Sequence, residues 1–210
     1  MLARFLDPSC CSLKICGVTL PADADRLVEL GVDALGANFW PKSKRYLDPA
    51  KAGFLADLAG RILRVGVFVN AGTDPPRELF EAGFIDAVQL HGDEPESDLH
   101  TLAGHGIPVI RSATLSNAQP PAVPAALLLD AHAPGVYGGT GRTIDWPAAA
   151  DFIRQHSGLP VILAGGIVPG NAAEAVRLVR PCAIDIASGA ESAPGIKDFD
   201  KVRALQAALA

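Results

Sequence analysis

The chain has 210 residues, of which 49% are hydrophobic and 20% charged, and its net charge is −5. This length predicts one large domain or two small ones, with a core that needs neither disulfides nor a structural metal. The composition excludes a coiled coil, a disordered tail protein and a collagen-like chain. The acidic balance provides no basic face for nucleic acid, and every apolar run is far shorter than the roughly 18 residues of a membrane span. We therefore expect neither a nucleic-acid nor a membrane partner.

The N-terminus and the cysteines predict a cytoplasmic protein. Residues 1–8 lack the long apolar stretch of a signal peptide. The four cysteines are Cys10, Cys11, Cys16 and Cys182. Their spacing is not typical of zinc ligands, so we expect no metal and free thiols in a reducing compartment.

Eight short β-rich runs recur along the chain, each followed by a turn and a helical pattern. Most are continuously apolar, which is typical of parallel strands covered on both faces. The predicted strands are 13–16, 34–39, 64–69, 87–90, 109–112, 126–130, 161–164 and 183–186. The series predicts a single-domain α/β fold, a closed parallel (β/α)8 barrel. The alternative is an open doubly wound sheet, which normally has a glycine-rich nucleotide loop in its first turn; residues 16–19 lack one.

Helix signals support this repeat. Asp48 and Asp74 each precede a proline and are predicted N-caps, and Asn171 with Glu174 has the spacing of a capping box. The last helix is predicted to place Phe199, Val202, Leu205 and Leu209 on one stripe. The segment 113–125 is rich in proline and small residues, so the helix after strand five is expected to be stunted or missing. The loop 131–145 is long enough to form a lid.

Active sites of such barrels lie at the C-terminal ends of the strands. Cys16 after strand one and Asp130 after the apolar run 125–129 of strand six are titratable side chains at such ends. A thiolate can abstract a proton and a carboxylic acid can donate one. Cys16 has the alternative interpretation of a small buried hydrophobe. A bare carboxylate is costly to bury, so Asp130 is expected at the mouth or in a pair.

Lys14 lies two residues before Cys16, so both side chains point to the same face of the strand, and if Cys16 faces the mouth, Lys14 faces the barrel interior. A lysine there needs a partner, and Asp185 on the neighbouring strand eight is the natural candidate. We expect a Lys14–Asp185 pair beneath the site, whose cation also favours the thiolate of Cys16.

Further residues near the strand ends are candidates for substrate binding. Gly165 and Gly166 after strand seven, with Ser188 and Gly189 after strand eight, predict a phosphate site, or are merely tight turns. His91 ends strand four at the mouth. Arg45 lies in a basic loop, either solvated or clamping an anion.

Several motifs follow one another in an order and spacing that are highly specific. They are Lys14-Ile-Cys-Gly17, Pro41-Lys-Ser-Lys-Arg-Tyr46, Gly66-Val-Phe-Val-Asn70, Val88-Gln-Leu-His-Gly92, Leu127-Leu-Leu-Asp130, Gly138-Gly-Thr-Gly141 followed by Asp145-Trp146, Ala164-Gly-Gly166, and Ser188-Gly189 with Glu191 and Pro194-Gly-Ile-Lys-Asp198. In these motifs the sequence resembles the phosphoribosylanthranilate isomerase family of tryptophan biosynthesis. Residues 1–12 lie outside the resemblance and are interpreted as an N-terminal extension of the catalytic barrel, 13–210.

The resemblance implies an Amadori rearrangement of N-(5-phosphoribosyl)anthranilate, a phosphorylated small molecule, without cofactor or metal. It implies Asp130 as general acid, Cys16 as general base, Arg45 as the contact of the anthranilate carboxylate and His91 as a further substrate contact. Gly165, Gly166, Ser188 and Gly189 match the phosphate site. The sequence leaves open whether the protein is a monomer or a homodimer.

Two other functions compete with this one. One is a sugar-phosphate isomerase of histidine biosynthesis, or a dual-substrate relative, which runs the same chemistry with two aspartates. Cys16 at the strand-one position disfavours it. The other is a barrel that binds a phosphorylated ligand without turnover, which the joint presence of Cys16, Asp130 and Arg45 disfavours.

Overall fold

The computed structural model describes residues 1–119, 126–131 and 143–209. Eight parallel strands pair in sequence order, and the first also pairs with the last, so the sheet closes into a barrel. The strands are β1 (Ser12–Cys16), β2 (Ala34–Asn38), β3 (Leu63–Phe68), β4 (Ala87–Leu90), β5 (Val109–Ala113), β6 (Ala126–Leu129), β7 (Val161–Leu163) and β8 (Ala183–Ile186). The predicted closed barrel is confirmed, and the open-sheet alternative is wrong.

Helices cover the outside of the barrel. The α-helices are α1 (Leu2–Phe5), α2 (Pro21–Glu29), α3 (Asp74–Glu81), α4 (Glu96–Gly104), α5 (Trp146–Gln155), α6 (Ala172–Val179) and α7 (Phe199–Leu209). Two 3₁₀ helices span Pro49–Leu58 and Ser188–Ala190, and the second leads into a hairpin of β9 (Glu191–Ala193) and β10 (Ile196–Lys197). In the described parts of the chain, none of the helices is long and apolar enough to cross a membrane.

The two predicted irregularities fall partly outside the described residues. After β5, residues 114–119 contain a turn and no helix, in agreement with a stunted or missing helix there. The predicted lid, 131–145, lies mostly outside the described residues, as does the motif 138–141 within it.

The helix start signals have mixed outcomes. Asp48 is an N-cap as predicted, because its carboxylate accepts the backbone N–H of Ala50 at 3.0 Å, although the helix that follows is 3₁₀. The prediction for Asp74 is wrong by one residue, since α3 begins at Asp74 and Thr73 is its N-cap. Asn171 occupies the N-cap of α6, but its side chain accepts from the N–H of Val168 instead, so the predicted capping box does not form.

Side chains alternate along the strands between two cores, as a pleated strand requires. Odd positions of β1, such as Leu13 and Ile15, pack outward against the helices, whereas Lys14 and Cys16 point into the barrel. The predicted stripe of α7 covers part of the outer core, with Val202 and Leu205 fully buried.

The N-terminal segment closes the barrel at the end opposite the mouth. Phe5 of α1 is 1% exposed and packs in one cluster with the first residues of several strands, among them Ala34, Leu63 and Ala87. Burial of a whole phenylalanine side chain removes a large apolar surface from water. Residues 1–12 therefore contribute to the core, while their treatment as an extension outside the catalytic barrel stays a prediction.

Candidate active site

Two titratable side chains project into the mouth of the barrel. Cys16 is the last residue of β1, and Asp130 follows β6 directly. Both face inward by alternation, Cys16 two residues after Lys14 and Asp130 two residues after Leu128 of the interior cluster. The side chain of Asp130 is 14% exposed, so it keeps limited access to solvent. The expected location of both residues at the mouth is confirmed.

An ion pair lies one layer below Cys16. Lys14 Nζ is 2.8 Å from Asp185 Oδ1, and the two side chains are 0% and 7% exposed. The two residues are direct partners in the parallel pairing of β1 with β8. A Cβ atom added to Gly36 would lie 2.7 Å from Cys16 Sγ and 3.0 Å from Lys14 Nζ, so the sulfur and the ammonium both lie over this glycine. The predicted Lys14–Asp185 pair is confirmed.

The electrostatic effect of this pair on Cys16 is more complex than expected. Burial raises the pKa of the Cys16 thiol above its ordinary value; Lys14 opposes the rise, Asp185 adds to it and Lys197 opposes it. Burial alone would lower the pKa of Lys14, but Asp185 and the Cys16 sulfur outweigh burial and raise it. Lys14 therefore acts on the thiolate in the expected direction, yet burial outweighs the lysine and the pKa of the thiol is raised overall.

Asp130 is held through both of its oxygens. Its Oδ1 accepts the backbone N–H of Ala131 at 2.7 Å, and its Oδ2 is 3.5 Å from His91 Nε2. His91 Nδ1 in turn is 2.9 Å from the amide nitrogen of the buried Gln89. In the tautomer in which Nδ1 accepts from this amide, Nε2 carries the ring proton and faces Asp130. His91 thus lies at the mouth, as predicted, in contact with the candidate acid.

Gly165, in the turn after β7, leaves room for the Asp130 carboxylate. Gly165 has φ +84°, a conformation that side chains rarely adopt, and a Cβ there would lie 2.9 Å from Asp130 Oδ1. Gly166 also has a positive φ, of 65°. Gly165 therefore serves the geometry of Asp130 as well as the turn.

The turns after β7 and β8 pack against each other. A Cβ at Gly189 would lie 2.1 Å from the carbonyl oxygen of Ile167, so only glycine permits this approach. Ser188, beside it, is exposed at the start of a 3₁₀ turn, whose first N–H groups lack partners within the helix. The four residues predicted to bind phosphate thus lie on two adjoining turns, and their binding role stays a prediction.

Arg45 is folded onto the mouth, and the interpretation of a solvated loop residue is wrong. Its Nε and Nη2 lie 2.8 Å and 2.6 Å from the two carboxylate oxygens of Glu191. Its stem passes over Gly17, where a Cβ would lie 2.3 Å from Arg45 Cδ. The predicted anion clamp therefore already holds a carboxylate, and that carboxylate belongs to the protein.

Comparisons with known proteins agree with this geometry. The family model for N-(5'phosphoribosyl)anthranilate (PRA) isomerase matches residues 13–208. The chain belongs to this family.

Relatives extend the likeness over the whole barrel. A Myxococcus xanthus N-(5'-phosphoribosyl)anthranilate isomerase is 48% identical over 204 residues, which cover 91% of this chain and 92% of the relative. A Thermotoga maritima structure, of monomers generated from a dimeric phosphoribosylanthranilate isomerase, has a TM-score of 0.79 at 31% identity and covers 95% of this chain and 98% of its own. Another phosphoribosylanthranilate isomerase, in complex with reduced 1-(o-carboxyphenylamino)-1-deoxyribulose 5-phosphate, has a TM-score of 0.76 at 33% identity, covering 93% and 96%. The expected isomerase of tryptophan biosynthesis is confirmed at the level of the family.

In this member of the phosphoribosylanthranilate isomerase family, the sequence assigned no role to several buried polar residues near the mouth, among them Gln89, Glu191 and Lys197. Gln89 could have been found from alternation, because it lies two residues before His91 on the same face of β4. Glu191 and Lys197 lie in a matched motif, but Arg45 and Cys16, which they contact, are distant in sequence. Within the described ranges, no group of three or more His, Cys, Asp or Glu side chains could hold a metal ion.

Proposed function

We propose that this chain catalyses the Amadori rearrangement of N-(5-phosphoribosyl)anthranilate to 1-(o-carboxyphenylamino)-1-deoxyribulose 5-phosphate, with Asp130 as general acid and Cys16 as general base. The observation that carries the proposal is the convergence of these two groups, in different environments, on one barrel mouth. An acid must start protonated and a base must start deprotonated at the same pH, which requires unlike surroundings. The neighbour bound to the reduced form of this product supports the same substrate class.

The first step opens the ribose ring. Asp130 donates a proton to the ring oxygen, the bond from that oxygen to C1 breaks, and the amine nitrogen lone pair forms a C=N bond. The product is a protonated Schiff base with a free hydroxyl at C4. The hydrogen bond from Ala131 N–H and the contact with His91 hold the carboxyl in one orientation for this transfer.

The second step forms the ketone. Cys16, as the thiolate, removes the proton at C2, the C–H electron pair becomes a C1=C2 bond, and the C=N electrons return to nitrogen. The resulting enolamine loses its C2 hydroxyl proton and gains a proton at C1. At this point Cys16 is protonated and Asp130 is ionised. Cys16 releases one proton to solvent and Asp130 takes one up, which restores both groups. The ammonium of Lys14, over the same glycine as the sulfur, stabilises the transient thiolate.

The remaining predicted residues bind the two ends of the substrate. Arg45 contacts the anthranilate carboxylate, and His91 contacts the substrate beside Asp130. Gly165 and Gly166 hold the phosphate together with the turn of Ser188 and Gly189. The partner is a phosphorylated small molecule, and the cytoplasmic location and the choice between monomer and homodimer stay predictions.

The experiment is an anthranilate-fluorescence assay of the wild type, Cys16→Ser and Asp130→Asn. The fluorescent substrate should disappear with the wild type, and each variant should lose at least about 100-fold in kcat, the usual contribution of a positioned acid or base. Cys10→Ser is the matched control, since this exposed thiol lies outside the mouth and should retain full activity. Full activity in either mouth variant would refute the assignment. Turnover of the histidine-pathway substrate instead would favour the competing function.

A further inference from the structure

Two buried charged side chains at the mouth take no part in the reaction as proposed above. The hairpin β9–β10 follows the turn after β8 and carries Glu191 at its start and Lys197 at its end. Their side chains are 3% and 0% exposed. Two charges are removed from water only at a large cost unless each is well paired, so their partners indicate what they do.

Glu191 fixes one edge of the Arg45 guanidinium. Its carboxylate accepts from Nε and Nη2 of Arg45, from Lys197 Nζ at 2.7 Å and from the backbone N–H of Gly195 at 3.1 Å. A guanidinium has five N–H donors in a rigid plane, and this pairing uses the Nε side. The opposite edge, formed by Nη1 and the second Nη2 proton, has the fork geometry that binds a carboxylate through two parallel hydrogen bonds.

Lys197 joins this arrangement to the candidate base. Its Nζ donates to the carbonyl oxygen of Cys16 at 2.6 Å as well as to Glu191. Its backbone N–H donates to Asp23 Oδ2 at 3.0 Å, which ties the hairpin to α2. A continuous set of hydrogen bonds therefore runs from Arg45 through Glu191 and Lys197 to the main chain of Cys16.

The charged side chains of this network are paired with one another. Arg45, Lys14 and Lys197 are opposed within this network by the carboxylates of Glu191 and Asp185. Burial alone would raise the pKa of Glu191, but hydrogen bonds from Arg45 and Lys197 outweigh it and lower that pKa, so Glu191 is ionised at neutral pH. The open edge of the arginine, which Glu191 does not occupy, suits an anionic group of the substrate.

We propose that Glu191 is a positioning residue that turns the open edge of Arg45 toward the substrate carboxylate, and that Lys197 couples this clamp to the backbone of Cys16. The inference rests on the proposed function and adds the origin of its selectivity for an o-carboxylated aryl amine. Glu191 itself touches no reacting atom.

The test compares two substrates in the variant Glu191→Gln, one with and one without the carboxylate. N-(5-phosphoribosyl)anthranilate and N-(5-phosphoribosyl)aniline are each formed from ribose 5-phosphate and the free amine. We expect Glu191→Gln to raise KM for the carboxylated substrate at least about 10-fold, the usual effect of losing a charge-assisted hydrogen bond, with KM for the aniline substrate unchanged. Glu191→Asp keeps the charge and should recover part of the preference. Lys197→Met should lower kcat for both substrates alike.

The matched control is Glu81→Gln, since Glu81 also pairs with an arginine, Arg77, but on an exposed helix face. It should leave both substrates unaffected. An equal rise in KM for the two substrates in Glu191→Gln, or no rise for either, would overturn the inference. If Glu191→Gln does not fold, the same comparison of KM is made with Glu191→Asp. Calorimetric Kd values for reduced product analogues with and without the carboxylate provide a readout free of turnover. A wild type that selects the carboxylated analogue yet turns over neither substrate would refute the proposed function and leave this inference intact.

Discussion

Replacement of Lys14 by methionine is expected to have a large effect on stability. Methionine has a similar length and no charge, so it fills the space of the fully buried lysine stem. The substitution leaves Asp185, with a side chain only 7% exposed, without the ammonium 2.8 Å away. Removal of one partner of a buried pair strands the other charge, and this is the unfavourable part of the change.

The expected cost is about 3–5 kcal/mol of unfolding free energy, typical of breaking a buried ion pair. For a chain of this size, each kcal/mol lowers Tm by roughly 2–4 °C, so Tm should fall by about 6–20 °C. Asp185→Asn should cost a similar amount. The double variant should cost clearly less than the sum of the two, because neither charge is then left unpaired.

The assay is urea unfolding of the four proteins in the double-mutant cycle at pH 7. Asp185 raises the pKa of Lys14 although burial alone would lower it, so the stabilisation by the pair is complete at neutral pH. It is lost only as pH rises beyond the usual lysine value of about 10.4. Single variants that each cost less than about 1 kcal/mol, or costs that simply add, would refute the reasoning. Glu81→Gln, in an exposed pair, is the control and should change stability by less than about 0.5 kcal/mol.

Three further predictions follow from single residues. Because burial raises the pKa of Cys16, iodoacetamide should modify it at pH 8 more slowly than the exposed Cys10, and equal rates by mass spectrometry would contradict this. Phe5→Ala should cost about 3–5 kcal/mol in urea unfolding with kcat unchanged, whereas a cost below about 1 kcal/mol would mean that α1 does not close the barrel. Gly165→Ala should lower kcat at least about 10-fold, because its φ is +84° and its Cβ would lie 2.9 Å from a carboxylate oxygen at the mouth. Gly53→Ala, with open space around its Cβ, is the control and should keep full activity, so equal losses would contradict the steric argument.

The barrel was predictable because its signal is local and repeated. Each strand is an apolar run followed by a turn, and the C-terminal ends of parallel strands meet at one mouth. Closure of the barrel makes β1 and β8 neighbours, so the pairing of Lys14 with Asp185 follows from the predicted fold. Alternation along β1 then brought Cys16 onto the same face.

Other features depend on distances that sequence patterns do not contain. Glu191 reaches Arg45 across 146 positions, through a hairpin too short to show a period. The four-residue helix α1 likewise has no amphipathic repeat that would identify Phe5 as a core residue.

Two further differences between prediction and structure concern the pKa of Cys16 and the hydrogen bond of the Asn171 side chain. The pKa of Cys16 results from burial, two cations and one anion, and their balance requires a structure. Asn171 has the right position for a capping box, yet the turn before the helix uses its side chain first.

The most direct test of the account follows the proton at C2. Substrate made from ribose 5-phosphate with deuterium at C2 should react with a primary isotope effect in the wild type and release its deuterium to solvent, as measured by NMR. Cys16→Ser should release deuterium at least about 100-fold more slowly, since the base is absent. Release at the wild-type rate in Cys16→Ser would contradict the central claim that Cys16 removes this proton.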